Sequence, residues 1–396
     1  MLKGLRRQAL CVAALFSVIY TAHADDRQRV FTGTLGKTPI VLELNTQQQD
    51  EVVGRYFYEK YHRDLLLSGT LHEGTLSLIE GENRYGEAQP LPTLKLEETA
   101  DGLQGEWQSP KGKKLPVKLI EAKVPAPTST TLPFIATLQH SNPYEYLRLQ
   151  GLKLKAAKKE HFMGYELQWW TEPETTISLF SIESGLPKDE RQQVNQQLLA
   201  RLWQEVIRYH GCLMQGGVNT DFLQQVEPKL ISPAVVSLNV STSYYCGGAH
   251  PDFGDSPLNI DVKTGHPLSL GDVLWAGEGA PILHADRDSP GDQPLSTAQS
   301  DAYSTYQREV LVPWLIKQFA TLHPNEMKKP AEGDDNACDY SDESIWGYSA
   351  WYFTESGLYL SPYFARVARA CDAPDWSTLP YSLVKQHPGA VKLQLP

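Results

Sequence analysis

The sequence predicts an α+β chain: an N-terminal antiparallel β meander or small barrel, then a C-terminal α+β domain with helices packed on an antiparallel sheet. Three observations carry this expectation. Residues 30–122 hold short alternating runs separated by turn residues, with no helical period. Residues 188–209 place apolar side chains at every third and fourth position. Beyond them, strand-like and helix-like runs interleave to the end of the chain.

In the N-terminal part, residues 39–44, 52–58, 65–71, 75–80, 94–97, 103–107 and 115–120 read as strands. His72-Glu73-Gly74, Asp101-Gly102 and Pro110-Lys111-Gly112-Lys113 separate them with the composition of hairpin turns. Tyr56, Tyr58 and Tyr61 read as a packing surface, the alternative being one wall of a binding face. Residues 124–134, rich in Pro, Ser and Thr, are the expected linker between a domain at 25–123 and one at 135–396. The second divides at about residue 232 into a first half, 135–232, and a second, 233–396.

The second domain opens with expected strands at 147–154, 162–170 and 175–183, where Trp169 and Trp170 would face opposite sides. The helix at 188–209 carries Val194, Leu198, Leu202 and Val206 on one stripe. Pro187 suits its first turn, Asp189 and Glu190 its positive end, and Gly211 its stop, with His210 as a C-terminal cap. An alternating strand at 236–240 then leads into Tyr244-Tyr245-Cys246-Gly247-Gly248-Ala249-His250-Pro251-Asp252 and a second strand at 258–262. Residues 268–274 read as a short strand and 277–294 as a surface loop. Residues 297–322 read as a helical region that Pro313 kinks or breaks. An acidic loop at 324–342 surrounds Cys338, and strands at 349–354 and 357–360 follow.

Lys3, Arg6 and Arg7, an apolar run at 9–20 and Ala22-His23-Ala24 read as a cleavable export signal cut after Ala24. The run is too short to span a bilayer, so a periplasmic protein without stable membrane insertion is expected. Without the three basic residues of the leader, 33 Lys and Arg stand against 47 Asp and Glu, a formal charge of −14. That balance disfavours nucleic acid and suits a basic partner, besides serving solubility. Beyond Cys11, the chain has Cys212, Cys246, Cys338 and Cys371, which read as two disulfides. Three connectivities exist; Cys212–Cys246 and Cys338–Cys371 are expected because each pair flanks one contiguous unit.

No nucleophile elbow, phosphate-binding loop, dinucleotide fingerprint or zinc spacing is present, so no catalytic residue, metal or cofactor is assigned. The acidic loop departs from a calcium-binding hand because Gly333 precedes its acidic run. His250, near Asp252 and Asp255, is the first residue to test for catalysis; the competing reading is a ring that hydrogen-bonds backbone and locks its loop. Gly247 and Gly248 read as a demanded turn and Cys246 as its staple.

Tyr-Tyr-Cys-Gly-Gly-Ala-His-Pro at 244–251, Asn259-Ile260-Asp261, Thr264-Gly265 and Leu268-Ser269-Leu270-Gly271-Asp272 form a recognisable series. Phe353-Thr354-Glu355-Ser356-Gly357-Leu358 and Leu379-Pro380-Tyr381 continue it. Residues 135–385 thereby resemble the extracytoplasmic domain of RsiV-type anti-sigma factors and of the PdaC peptidoglycan deacetylase. The resemblance implies helices on an antiparallel sheet and a domain that binds lysozyme without catalysing. The sigma-binding and deacetylase segments of those proteins have no counterpart in this sequence, so the binding role alone is carried over. The expected function is therefore a soluble periplasmic protein, not an enzyme, that recognises a basic cell-wall hydrolase. A lysozyme inhibitor or an immunity protein against a peptidoglycan hydrolase toxin fits. The alternative is an envelope enzyme or glycan-binding protein acting on peptidoglycan. Candidate binding residues are Tyr244, Tyr245, His250 and Asp252, with Asp334 and Asp335 of the acidic loop.

Overall fold

The structure is a computed structural model, and it describes residues 28–83, 89–216, 220–282, 296–331 and 337–395. The expected leader at 1–24 lies outside the described residues, as do Asp334 and Asp335 and most of the expected loop at 277–294.

Eight strands build the N-terminal barrel: β1 (Gln28–Leu35), β2 (Thr38–Asn45), β3 (Val52–Tyr58), β4 (Asp64–His72), β5 (Thr75–Glu80), β6 (Thr93–Glu98), β7 (Gly102–Gln108) and β8 (Lys114–Glu121). Each pairs antiparallel with the next, and β8 returns to β1 from Phe31↔Glu121 to Leu35↔Val117, so no edge is left open. Period-two alternation turns Phe31, Ile40, Leu42, Leu44, Tyr56, Leu67, Leu78, Leu96 and Leu119 into a filled interior. The wall is tight. At Gly105 an added Cβ would lie 2.0 Å from the Lys95 carbonyl oxygen of the neighbouring strand.

The second part starts with two helices, α1 (Pro133–Ser141) and α2 (Pro143–Gly151). The strand expected at 147–154 is thus mostly helix. Asn142 accepts a hydrogen bond from the Glu145 amide and Pro143 occupies the first turn, which together start a helix despite the alternating Leu147 and Leu149. Strands β9 (Lys155–Phe162), β10 (Tyr165–Thr171) and β11 (Ser178–Ser184) form one antiparallel sheet. Helix α3 (Lys188–Gly216) packs on it, and Val194, Leu198, Leu202 and Val206 enter a core shared with Leu167, Phe180 and Ile182. The helix does not stop at Gly211. A glycine inside a helix costs about 1 kcal/mol, which burial of Cys212 and its disulfide to Cys246 offset. His210 is therefore an interior residue and not a cap.

Strand β13 (Val235–Tyr245) is central to the next sheet. It pairs with β12 (Asp221–Ile231) on one side and with β14 (Asp252–Asp255) and β15 (Leu258–Asp261) on the other. Within residues 268–274, expected as a strand, Leu270–Val273 form the short helix α4, because Ser269 and Asp272 make a capping box. The kink at Pro313 is accommodated in the first turn of α6 (Val312–Leu322), joined through a π-helical turn at Gln307–Leu311 to α5 (Thr297–Tyr306). Strands β16 (Ala350–Phe353), β17 (Gly357–Ser361) and β18 (Thr378–Pro380), then α7 (Tyr381–Val384), complete the fold. They enclose a second core around Leu315, Phe319, Trp346, Phe353, Leu358 and Leu379. Among the described residues no helix is long and apolar enough to cross a membrane.

A buried ion network joins the barrel wall to α2. Arg148 Nη2 donates to both oxygens of Asp64 at 2.7 and 2.8 Å, and its Nε donates to Glu145 at 2.8 Å. Arg55 faces Glu43 at 2.8 Å and Glu145 at 3.1 Å, while the Tyr144 hydroxyl donates to Asp64 at 2.6 Å. Val30, Val41 and Phe57 surround the cluster with apolar side chains. Removing one member of such a set exposes the others to a low dielectric without compensation.

Candidate functional site

The segment linking β13 to β14 is pinned from three directions. Cys212, in the last turns of α3, bonds Cys246, and Cys338 bonds Cys371, the connectivity expected from the sequence. Gly247 and Gly248 have φ of 91° and 93°, a left-handed region costly for side chains with a Cβ. At Gly247 an added Cβ would also lie 2.8 Å from the Gln215 carbonyl oxygen. The Tyr245 hydroxyl closes the turn by donating to the Gly248 carbonyl at 2.9 Å.

The third fastening comes from the 3₁₀ turn Arg366–Cys371. Arg366 donates to the Pro251 carbonyl at 2.7 Å, and Arg369 Nη2 to the Phe253 carbonyl at 2.6 Å. Arg369 Nε also pairs with Asp372, and Nη1 reaches Asp252 at 3.4 Å. Its guanidinium sits 4.5 Å from the Phe253 ring centroid and 4.6 Å from that of Tyr363. One buried cation thereby fixes two aromatic rings. Arg366 and Arg369 hold the loop; His250 does not, since its Nδ1 meets only the adjacent Pro251 carbonyl at 3.2 Å.

An aromatic face results. Phe253 is 48% exposed, Tyr348 79%, Tyr363 53%, and Val367 on the 3₁₀ turn 99%. The three rings border a cleft of about 170 Å³ whose other walls include Asp255, Arg369 and Asp372. Asp255 is shared with a groove of about 470 Å³ on the far side of β14, where Glu205, Arg208, Phe222 and Tyr244 take part. Burial, then the charge of Asp252, raises the Tyr244 phenol above its ordinary range and keeps it a hydrogen-bond donor at neutral pH.

The structure brings Tyr244 and Asp252 together as register partners at the edge of this face. Tyr245 serves the turn, and His250 is exposed beside it. The acidic neighbours of His250 are engaged elsewhere: Asp252 with Arg369, and Asp255 with the Ser241 hydroxyl. No acid–base pair forms around His250 among the described residues. Phe253, Tyr348, Tyr363, Val367 and Arg369 were not marked by any spacing, because they come from three separate segments. Large side chains beside Pro362 and Gly347 in turn-rich stretches were the available signal. Among the described residues no group of His, Cys, Asp and Glu could hold a metal ion.

No family model matches the chain, and no curated protein matches it. Among solved structures, one described as a member of the DUF3298 family from Bacteroides fragilis is similar at 13% identity and a TM-score of 0.33. The match covers 60% of this chain and 94% of that one.

Proposed function

We propose that this chain is an exported binding protein that recognises a basic cell-wall hydrolase, as a lysozyme inhibitor or an immunity protein against a peptidoglycan hydrolase toxin. The observation that carries the reading is the exposed aromatic face of Phe253, Tyr348 and Tyr363, of which Arg369 holds Phe253 and Tyr363. Exposed aromatic side chains clustered on a rigid base have the composition of an interface centre. Rings already fixed by Arg369 lose little freedom on docking, which favours affinity.

Charge supports the choice of partner. The mature chain's formal charge of −14 attracts a basic enzyme and speeds encounter. Asp252, Asp255 and Asp372 lie beside the face with Arg366 and Arg369, which leaves an excess of one formal negative charge in the cluster. Two disulfides accord with an oxidising compartment, where such an enzyme would be met. The mechanism is steric: the face covers the hydrolase cleft, and no bond is made or broken. The test is a pull-down with the immobilised mature chain, from periplasmic extract and from cells exposed to competitors. Recovery of a muramidase or peptidoglycan amidase by the native chain and not by Tyr363→Ala supports the reading. Recovery of neither enzyme class, or equal recovery by both baits, rejects it.

A further inference from the structure

The barrel mouth holds a carboxylate that meets no cation among the described residues. Glu80 ends β5 on the inward face, where Oε2 accepts from the Tyr56 hydroxyl at 2.6 Å and from the Trp107 indole N–H at 2.7 Å. Both donors are neutral. Among the described residues no Lys, Arg or His pairs with Glu80. Asp64, Glu145 and Glu43 each face an arginine, and the buried Glu172 and Asp261 are held by neutral donors of their own turns, whereas Glu80 takes its two donors from other strands of the barrel. A carboxylate inside a leucine-lined barrel costs desolvation energy that two neutral donors offset only in part.

Tyr56 and Trp107 touch the carboxylate, and Tyr58 and Tyr61 continue the aromatic run from Tyr56. Tyr56 and Tyr58 are 5.5 Å apart at 75°, and Tyr58 and Tyr61 are 6.5 Å apart at 86°, so successive rings stand nearly perpendicular. Tyr58, Glu80 and Trp107 are half-buried and Tyr61 is exposed, which leaves this run open to solvent. The Lys60 ammonium already lies 5.1 Å from the Tyr61 ring centroid, so an aromatic face here accepts a cation. Perpendicular aromatic walls around a fixed carboxylate are the chemistry that recognises an organic ammonium ion, through cation–π attraction and charge.

We infer that the barrel mouth is a binding site for a small organic ammonium ion, with Glu80 as its counter-charge and Tyr58, Tyr61 and Trp107 as its walls. Tyr56 positions the carboxylate from below. The site is separate from the aromatic face of the α+β domain and stands or falls independently of it.

The experiment titrates the full mature chain with choline and, in parallel, with 3,3-dimethylbutan-1-ol, its neutral isostere. The readout is the Trp107 indole N–H resonance, assigned among the nine tryptophans by Trp107→Phe. The expected result is a saturable shift with choline, none with the alcohol, and affinity weakened about tenfold or more in Glu80→Gln. Absence of a saturable shift, an equal shift with the alcohol, or unchanged affinity in Glu80→Gln overturns the inference. If Glu80→Gln loses its dispersed spectrum, Tyr58→Leu replaces it under the same criteria. Co-sedimentation with phosphatidylcholine vesicles that is lost in Glu80→Gln would assign the ion to a lipid headgroup and support the same cage.

Discussion

Lowering the pH acts on this fold through His210. The ring is 2% exposed, and neither nitrogen has a hydrogen-bond partner among the described residues. Burial, then the positive charges of Arg148, His62, Arg63 and Arg55, push its pKa down to about 2. The folded chain therefore keeps His210 neutral, whereas the unfolded chain protonates it below about pH 6.5. The depressed value means stability is complete above the unfolded pKa and declines as pH falls toward the folded one. Each pH unit below 6.5 costs about 1.4 kcal/mol, so pH 5 removes about 2 kcal/mol relative to neutrality. His210→Phe deletes the titrating group and keeps an apolar ring in place. Urea unfolding of both proteins at pH 7, 6 and 5 measures the difference. The stability loss between pH 7 and 5 is expected to be about 2 kcal/mol smaller in His210→Phe. Equal losses in the two proteins would refute a buried neutral histidine.

Three other perturbations test the frame that carries the sites. Arg148→Met strips Asp64 and Glu145 of their main partner and should cost about 3–5 kcal/mol in urea unfolding; a loss below about 1 kcal/mol would mean the network is solvated. Cys212→Ser with Cys246→Ser opens a link spanning 34 residues and should cost about 4 kcal/mol on chain-entropy grounds, read from the same experiment. Gly247→Ala meets both the positive φ and the Gln215 carbonyl, so its thermal midpoint should fall by the equivalent of about 1–3 kcal/mol; an unchanged midpoint would show that the turn relaxes freely.

The barrel was largely legible because one face of each strand meets the same apolar interior and turns interrupt the pattern regularly. Strand β1 was the exception. Its adjacent Val30 and Phe31 are both buried, Phe31 inside the barrel and Val30 against the α2 side, which erases the alternation. Helix α2 was misread for a related reason: its buried face carries Glu145 and Arg148, so hydrophobicity did not report its period. Helix α3 ran beyond Gly211 because tertiary burial and a disulfide outweighed local propensity. At the candidate site, the glycine turn and the cysteine staple could be read locally. The aromatic face could not, since Phe253 and Tyr363 meet only where Arg369 joins β14 to the 3₁₀ turn, and Tyr348 reaches the same cleft from a third segment. Glu80 and Trp107 are likewise far apart in the chain, and only barrel closure brings them together.

Direct binding of the purified mature chain to a basic muramidase, by calorimetry at low and physiological salt, tests the central proposal. Complex formation is expected at micromolar concentration or below, weaker at higher salt. Phe253→Ala with Tyr363→Ala should lose at least about 2 kcal/mol, roughly 30-fold in affinity, with the variant still folded by circular dichroism at the assay temperature although the loss of both rings from Arg369 lowers its thermal midpoint. No heat of binding across a panel of muramidases and amidases, or undiminished binding by the double variant, would contradict it.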